Sequence, residues 1–196
     1  MNEALPKAVL LVHVASTLFM SGLIWFVQIV HYPLFAATGT AEFPSYEERH
    51  ARLTTWVVGP PMLLESATAI LLLWHRPPGI SNSILVAGLA LGEKIWISTA
   101  FLQVPCHNRL THGFQTETHV RLVATNWIRT AAWTLRAFLV LAMLWQSMAN
   151  ETDPYSLQAP SADYDVSADS TDRDPGNSDP AHLPRSYRSD RPSRRS

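Results

Sequence analysis

The feature that most constrains this chain is an uncharged apolar run near its beginning, residues 8–30 (AVLLVHVASTLFMSGLIWFVQIV). At about 1.5 Å per residue, a helix of these 23 residues is long enough to cross a hydrocarbon core of roughly 30 Å. The run is too long for the apolar part of a signal peptide and lacks a small-residue cleavage site, so we expect a retained membrane span.

Three more apolar stretches follow, at Thr54–Trp74, at 82–104 and at roughly Leu122–Met148. Backbone polar groups in lipid must be satisfied within the chain, which favours helices. The sequence therefore predicts an all-α, multi-pass integral membrane protein, an up-down four-helix bundle over residues 1–149 with the lipid bilayer as its partner. Four spans place both termini on one side. Arginines in the first and third loops favour these loops inside and the termini outside the cytoplasm.

Local signals refine this outline. Ser45 is a candidate N-cap for the second helix, three residues before Glu48. The prolines of Gly59-Pro60-Pro61 should kink that helix or make it restart. Residues 105–119 read as a loop, in which His112 and His119 would be solvated.

The end of the chain differs in composition. Residues 1–149 hold nine Lys/Arg and seven Asp/Glu, whereas residues 150–196 hold six Arg and nine Asp/Glu among many Pro and Ser. A segment so poor in large apolar residues cannot offset the entropy of ordering. We therefore predict a disordered C-terminal tail. With a net charge of −1 for the whole chain, no nucleic-acid partner is expected, and the composition does not determine an oligomeric state.

Histidines occur where three predicted helices reach the same surface. His31 ends the first span, His50 precedes the second and His107 ends the third. We predict that these three, together with Arg129 in the fourth span, are catalytic groups: the histidines as acid, base or ligand groups, and Arg129 stabilising an anion.

Other polar and aromatic residues fall on stripes that should face inward, because a charge facing lipid is costly. On the third span Glu93, Trp96, Ala100, Gln103 and His107 share one helical face. The predicted substrate-binding residues are Gln28, Trp96, Gln103, Asn126 and Trp133.

A second polar layer is predicted deeper in the bundle. Counting residues along each helix places Glu65, Glu93 and Arg136 well below the histidines, so we predict that they meet as a buried charge layer. Such a layer could hold the helices in register, relay protons or contact a substrate.

The chemistry stays open at this stage. The sequence requires no cofactor, although a metal ion or haem is compatible with three histidines. No His-x-x-x-His or Glu-x-x-His pair is expected on a single helix, so metal binding would depend on convergence between helices. The single cysteine, Cys106, excludes an internal disulfide.

The segments VPCHNRL and LVATNWIRTAAWTLR resemble the anthrone oxygenase-like family of small four-span membrane proteins. Pro105 and Leu110 fit the Pro-x-Asn-x-x-Leu element of that family, Trp127 and Arg136 match its fourth span loosely, and His107 stands where Asn is usual. The resemblance implies a pocket within the membrane for a flat polycyclic or quinone-like substrate, oxidised by O₂ without a bound cofactor.

Two kinds of function fit these observations. The first is an oxidoreductase-like membrane enzyme that acts on a flat hydrophobic molecule. The alternative is a non-enzymatic membrane scaffold, assembly partner or small carrier, and a haem- or metal-binding membrane protein is a further alternative.

The tail generates the first testable expectation. Deleting residues 152–196 should leave the thermal stability of the detergent-solubilised protein unchanged, because the segment has almost no apolar side chains to bury. Thermal unfolding of the full and shortened chains would measure this, and a large loss of stability on deletion would contradict it.

Overall fold

The computed structural model describes residues 4–151, which are helical apart from short connections and contain no strand. The predicted tail lies outside these described residues, except for its first two positions. The all-helical class is thus established for the part that the structure describes.

Several helical segments join end to end, and the structure bounds them as follows. They are α1 (Ala4–Phe26), a π-helical turn (Val27–His31), α2 (Tyr32–Leu34), a 3₁₀ turn (Phe35–Ala37), α3 (Phe43–Leu71), α4 (Asn82–Ser98), a second π-helical turn (Thr99–Gln103), α5 (Val104–Leu110) and α6 (Thr116–Glu151).

Three stretches of the described chain are long and apolar enough to cross a membrane: Ala4–Ala37, Asn82–Leu110 and Thr116–Asn150. These properties agree with a membrane protein. The predicted second span lies in α3, which is not among the three, because prolines, threonines and Glu65 lower its hydropathy.

The long helices pack side by side around an interior that has three apolar clusters. Helix α1 packs against both α3 and α6, and α4 packs against α6. The clusters contain Val9, Leu10, Val14, Leu72, Ile80, Leu85, Val140 and Met143; then Met20, Ile24, Met62, Ile95, Ala132 and Trp133; and then Tyr32, Phe35, Phe43, Cys106, Leu110 and Leu122.

Two π-helical turns occur, one directly after α1 and one directly after α4. The backbone N–H of Tyr32 donates to the carbonyl of Val27, and that of Val104 donates to Thr99, each five residues back. A proline follows directly in both cases, Pro33 and Pro105 in the sequence. A proline ring has no N–H to donate and collides with the carbonyl four residues earlier, and a widened turn is one way a helix accommodates this.

Some helix boundaries differ from the predictions. Helix α3 begins at Phe43 rather than near Ser45, whose hydroxyl donates to the carbonyl of Glu42. It also continues through Pro60 and Pro61 without a restart. Gly59 helps here, because it has no Cβ to meet the ring of the following proline.

The predicted loop 105–119 is wrong over most of its length, since α5 reaches Leu110 and α6 begins at Thr116. Within it His119 is buried, not solvated, and its Nε2 lies 2.8 Å from the carbonyl oxygen of Tyr32. His112 is exposed, as a loop residue should be.

The buried charge layer forms with a different membership. Glu65 and Arg136 make an ion pair, both almost fully buried, and Nδ1 of His13 lies 3.7 Å from Oε1 of Glu65. The nearby backbone makes room for this pair: Arg136 also donates to the carbonyl of Gly88, and a Cβ on Gly92 would lie only 2.5 Å from Nη1 of Arg136.

Glu93 is exposed, so its predicted place in the buried layer is wrong. The face of α4 that is buried runs through Leu85, Gly88, Ile95 and Ser98 instead. The predicted stripe assumed a regular helical period from Glu93 to His107, whereas the π-helical turn at Thr99–Gln103 adds a residue between them. Residues before that turn and residues after it therefore cannot all share the predicted face.

Breaking the ion pair should destabilise the fold. Arg136→Met leaves the Glu65 carboxylate buried without its cation, and we expect the free energy of unfolding to fall by roughly 3–5 kcal/mol. Replacing both residues by Met should recover most of this loss, because no lone charge stays buried. Unfolding in detergent micelles would measure it, with the exposed Glu93→Gln as a control expected to change stability by under about 0.5 kcal/mol. Equal stability of the single and double variants would contradict this account.

Candidate functional site

Three histidines and a carboxylate meet beside the third apolar cluster. Nε2 of His31 lies 2.9 Å from Nδ1 of His50, and Nδ1 of His107 lies 2.5 Å from Oε1 of Glu47. The rings of His50 and His107 have centroids 5.5 Å apart. These four residues form what we call the histidine cluster.

The four residues lie on three helical segments of the chain. His31 ends the first π-helical turn, and His107 lies in α5 two residues after Pro105. Glu47 and His50 occupy positions i and i+3 of α3, so they share one helical face. The ring of Phe35 packs edge-on against those of His31 and His50, with centroids 5.2 and 5.0 Å apart.

Glu47 is absent from the residues predicted from the sequence, although a signal for it exists. Glu47-Glu48-Arg49-His50 is a Glu-x-x-His pair on one helix. With Ser45 as the predicted N-cap, both residues fall in the first turns of the predicted second helix, so the expectation that no such pair lies on one helix is wrong. In the structure the side chain of Glu47 is fully buried, and its Oε2 has no hydrogen-bond partner among residues 4–151.

His50, which precedes the predicted second span, is held neutral by its surroundings. Burial, then the neighbouring His107 and His31, lower the pKa of His50 to about 3. At neutral pH His50 therefore keeps one ring nitrogen with a free lone pair. Thr54 is a further neighbour, its hydroxyl 3.1 Å from Nδ1 of His50.

A cavity of about 370 Å³ lies against the cluster. Its wall is mostly apolar, and its polar end includes His50, His107, Tyr32, Gln103 and Arg129. The apolar lining comes from α1, α3 and the segment after α4, and includes Met20, Leu23, Ile24, Val27, Val58, Met62 and Val104.

Tyr32 connects the cluster to Arg129. The Tyr32 hydroxyl lies 3.0 Å from Nε2 of His107, and the guanidinium of Arg129 interacts with the same hydroxyl. Arg129 is buried, and its Nε has no partner within the described part of the chain. A cation and a phenol thus stand next to a carboxylate-bound imidazole.

A buried amide network holds Arg129 from behind. Asn126 donates to Oε1 of Gln28 at 2.9 Å, and Arg129 donates to the Asn126 side-chain oxygen at 3.4 Å. Gln28 in turn donates to the carbonyl of Val123 at 3.3 Å. Gln28 and Asn126 do not line the cavity, so they position other groups rather than touch its contents.

The structure thus separates the residues predicted as substrate-binding. Trp96 and Gln103 line the cavity, and Trp96 is partly exposed at its rim. Trp133 does not line it: its ring is buried in the second apolar cluster, with Cζ of Arg136 5.8 Å from its centroid. The structure brings His31, His50 and His107 together, while their chemical role stays a prediction.

Haem with two of these histidines as axial ligands does not suit this arrangement. Axial imidazoles bind from opposite faces of a flat ring. The nitrogens of His31 and His50 are in contact at 2.9 Å, and the ring centroids of His50 and His107 are only 5.5 Å apart. Neither pair leaves space for a macrocycle between its rings.

No protein-family model, curated protein or solved structure matches this chain. The resemblance to anthrone oxygenase-like proteins is therefore still a hypothesis drawn from the two quoted segments.

The amide network predicts a stability effect. Asn126→Ala removes the donor to Gln28 and the acceptor for Arg129, leaving buried polar groups unsatisfied, so we expect a loss of about 1–3 kcal/mol in the free energy of unfolding. The neighbouring exposed Ile128→Ala is the matched control and should cost much less. Denaturant titration in micelles would compare them, and equal losses would show that the network contributes nothing special.

Proposed function

We propose that this chain is an integral membrane protein with four spans in an up-down bundle, both termini outside the cytoplasm, which binds a flat hydrophobic molecule of quinone or anthrone type in the cavity and acts on it as an oxidoreductase-like enzyme. The observation that carries the proposal is the cavity of about 370 Å³ with an apolar wall and one polar end. Ligand pockets combine these two features.

The shape of the site supports this ligand class. A quinone or anthrone has a flat apolar body with oxygen at its edge. The apolar lining would contact the body, and Trp96 at the rim would stack on it. The edge oxygen would then face Tyr32, Gln103 and Arg129, which are hydrogen-bond donors.

The residues suggest how a proton would move. His107 is held by the Glu47 carboxylate at Nδ1, an arrangement that fixes an imidazole as a general base and stabilises its protonated form. Deprotonation of an anthrone-type carbon leaves an enolate, whose negative oxygen Arg129 would stabilise. Such an electron-rich anion is the form that O₂ oxidises most readily, as the family resemblance implies.

Access from the bilayer suits a hydrophobic ligand. The cavity lining includes exposed residues on two neighbouring elements: Thr55 on α3, and Trp96 and Val104 on the α4–α5 segment. A molecule dissolved in lipid would enter between these elements without crossing water.

Blocking the cavity should abolish binding. Ala51 lines the cavity, whereas Ala67 on the same helix is exposed and does not. We expect Ala51→Phe to weaken the affinity for a naphthoquinone by tenfold or more, about 1.4 kcal/mol. Quenching of Trp fluorescence would measure this affinity. Ala67→Phe should bind as the unchanged protein does. Equal binding by the two variants would contradict the assigned cavity.

Turnover separates an enzyme from a carrier. The unchanged protein should accelerate both deuterium uptake into anthrone from D₂O and its oxidation by O₂, because proton removal precedes oxidation. His107→Gln should retain binding and lose the acceleration. Binding without any acceleration by the unchanged protein would instead support the alternative of a small carrier, and neither binding nor acceleration would leave the scaffold alternative.

A further inference from the structure

We propose that the histidine cluster is a binding site for one divalent first-row transition-metal ion, with Glu47, His50 and His107 as ligands and His31 as the residue that orients His50. This site does not depend on the proposed hydrophobic ligand, and nothing in the family resemblance implies it.

The spacing of the ligand atoms fits a single ion. One ligand atom each from Glu47, His50 and His107 can be chosen so that all three lie within 4.8 Å of one another. Ions of this kind bind histidine nitrogen and carboxylate oxygen at about 2.0–2.2 Å, which separates neighbouring ligand atoms by roughly 3–4 Å. Glu47 lies in the first turns of α3 and His107 lies in α5. Small side-chain rotations on these two helices would bring the ligand atoms to that spacing.

The donor set indicates the class of ion. Imidazole suits Zn, Fe, Cu and Ni, and two histidines with one carboxylate leave coordination positions open. A Glu-x-x-His pair on a helix is an arrangement that metal-binding helical bundles use. Here the pair is Glu47 and His50, and His107 completes the set from α5.

The carboxylate of Glu47 is an independent indication of a cation site. The side chain of Glu47 is fully buried, yet Oε2 has no hydrogen-bond partner within residues 4–151. A buried carboxylate needs compensation by a charge or by hydrogen bonds. Its contact with His107 supplies one bond, and a divalent ion bound between Glu47, His50 and His107 would supply the remaining compensation.

The outer contacts also match those of metal ligands. A ligating histidine typically has its second ring nitrogen fixed by another group. If His107 binds the ion through Nδ1, the nitrogen that faces Glu47, its Nε2 is held by the Tyr32 hydroxyl at 3.0 Å. Nδ1 of His50 contacts His31 at 2.9 Å, which leaves Nε2 of His50 for the ion.

The open positions of the ion would face the cavity, because His50 and His107 line its polar end. An ion there would take the place of the hydrogen bond between Nδ1 of His107 and Glu47. In the loaded protein the general-base assignment of His107 would then give way to polarisation of the ligand oxygen by the ion.

The test uses the full chain in mild detergent, stripped with a chelator and then given Zn²⁺ alone. Elemental analysis should find about one ion per chain, with affinity measured against a chromogenic chelator. Glu47→Gln and His107→Gln should weaken Zn²⁺ binding at least a hundredfold, whereas His31→Asn should weaken it about 10–100-fold as a positioning residue. His75→Asn and His112→Asn, both exposed, should bind as the unchanged protein does.

Three results would overturn the proposal: no Zn²⁺ retained by the unchanged protein, equal affinity of Glu47→Gln and the unchanged protein, or equal loss in His75→Asn. X-ray absorption of the Zn²⁺-loaded unchanged protein guards against misfolded variants, since it must show two imidazoles and oxygen ligands. The cavity is tested separately, because Ala51→Phe should lose naphthoquinone and retain Zn²⁺.

Discussion

Polar side chains inside an apolar helical assembly can be kept from an apolar environment only by turning toward one another, and the rest of this structure follows from that constraint. Two such groupings within residues 4–151 contain a buried carboxylate. Glu65, Arg136 and His13 meet on one side of the second apolar cluster, and the histidine cluster lies beside the third. Because each grouping joins several helices, the two together fix how α1, α3, α4 and α6 are aligned along their length.

The two groupings differ in how completely their charges are matched. Arg136 neutralises Glu65 and also donates to the backbone of Gly88, so the two charges of that grouping are matched. Nε of Arg136 has no hydrogen-bond partner within residues 4–151, and both side chains line a second cavity. In the histidine cluster the buried carboxylate of Glu47 contacts an imidazole, and its Oε2 has no hydrogen-bond partner within residues 4–151. One side of this cluster borders the cavity. Both groupings border a cavity, so the match of charges is what distinguishes them. A matched ion pair stabilises the helix register, whereas a buried carboxylate without a matching cation can bind one. For this reason we propose a structural role for the first grouping and a binding role for the second.

Hydropathy was enough to predict the all-helical class and three of the long apolar helices, because span length and the cost of burying charge are properties of the sequence itself. Counting residues along helices also suffices to bring His31, His50 and His107 to one surface. Facing was less predictable. Glu93 was placed inward by a regular 3.6-residue period, but the turn at Thr99–Gln103 breaks that period. His119 was assigned to a solvated loop and Glu47 was not singled out, because hydropathy cannot distinguish an exposed polar segment from a polar helix end that packs on aromatic rings.

The two π-helical turns explain why the site forms where it does. Each precedes a proline, and each carries a buried glutamine that contacts α6: Gln28 accepts from Asn126, and Gln103 donates to Thr125. Had either helix stayed regular, the residues beyond the proline would point about one position, or 100°, away from where they now lie. His107 would then leave Glu47. The direction of the histidine side chains therefore depends on the backbone of these two turns as well as on side-chain packing.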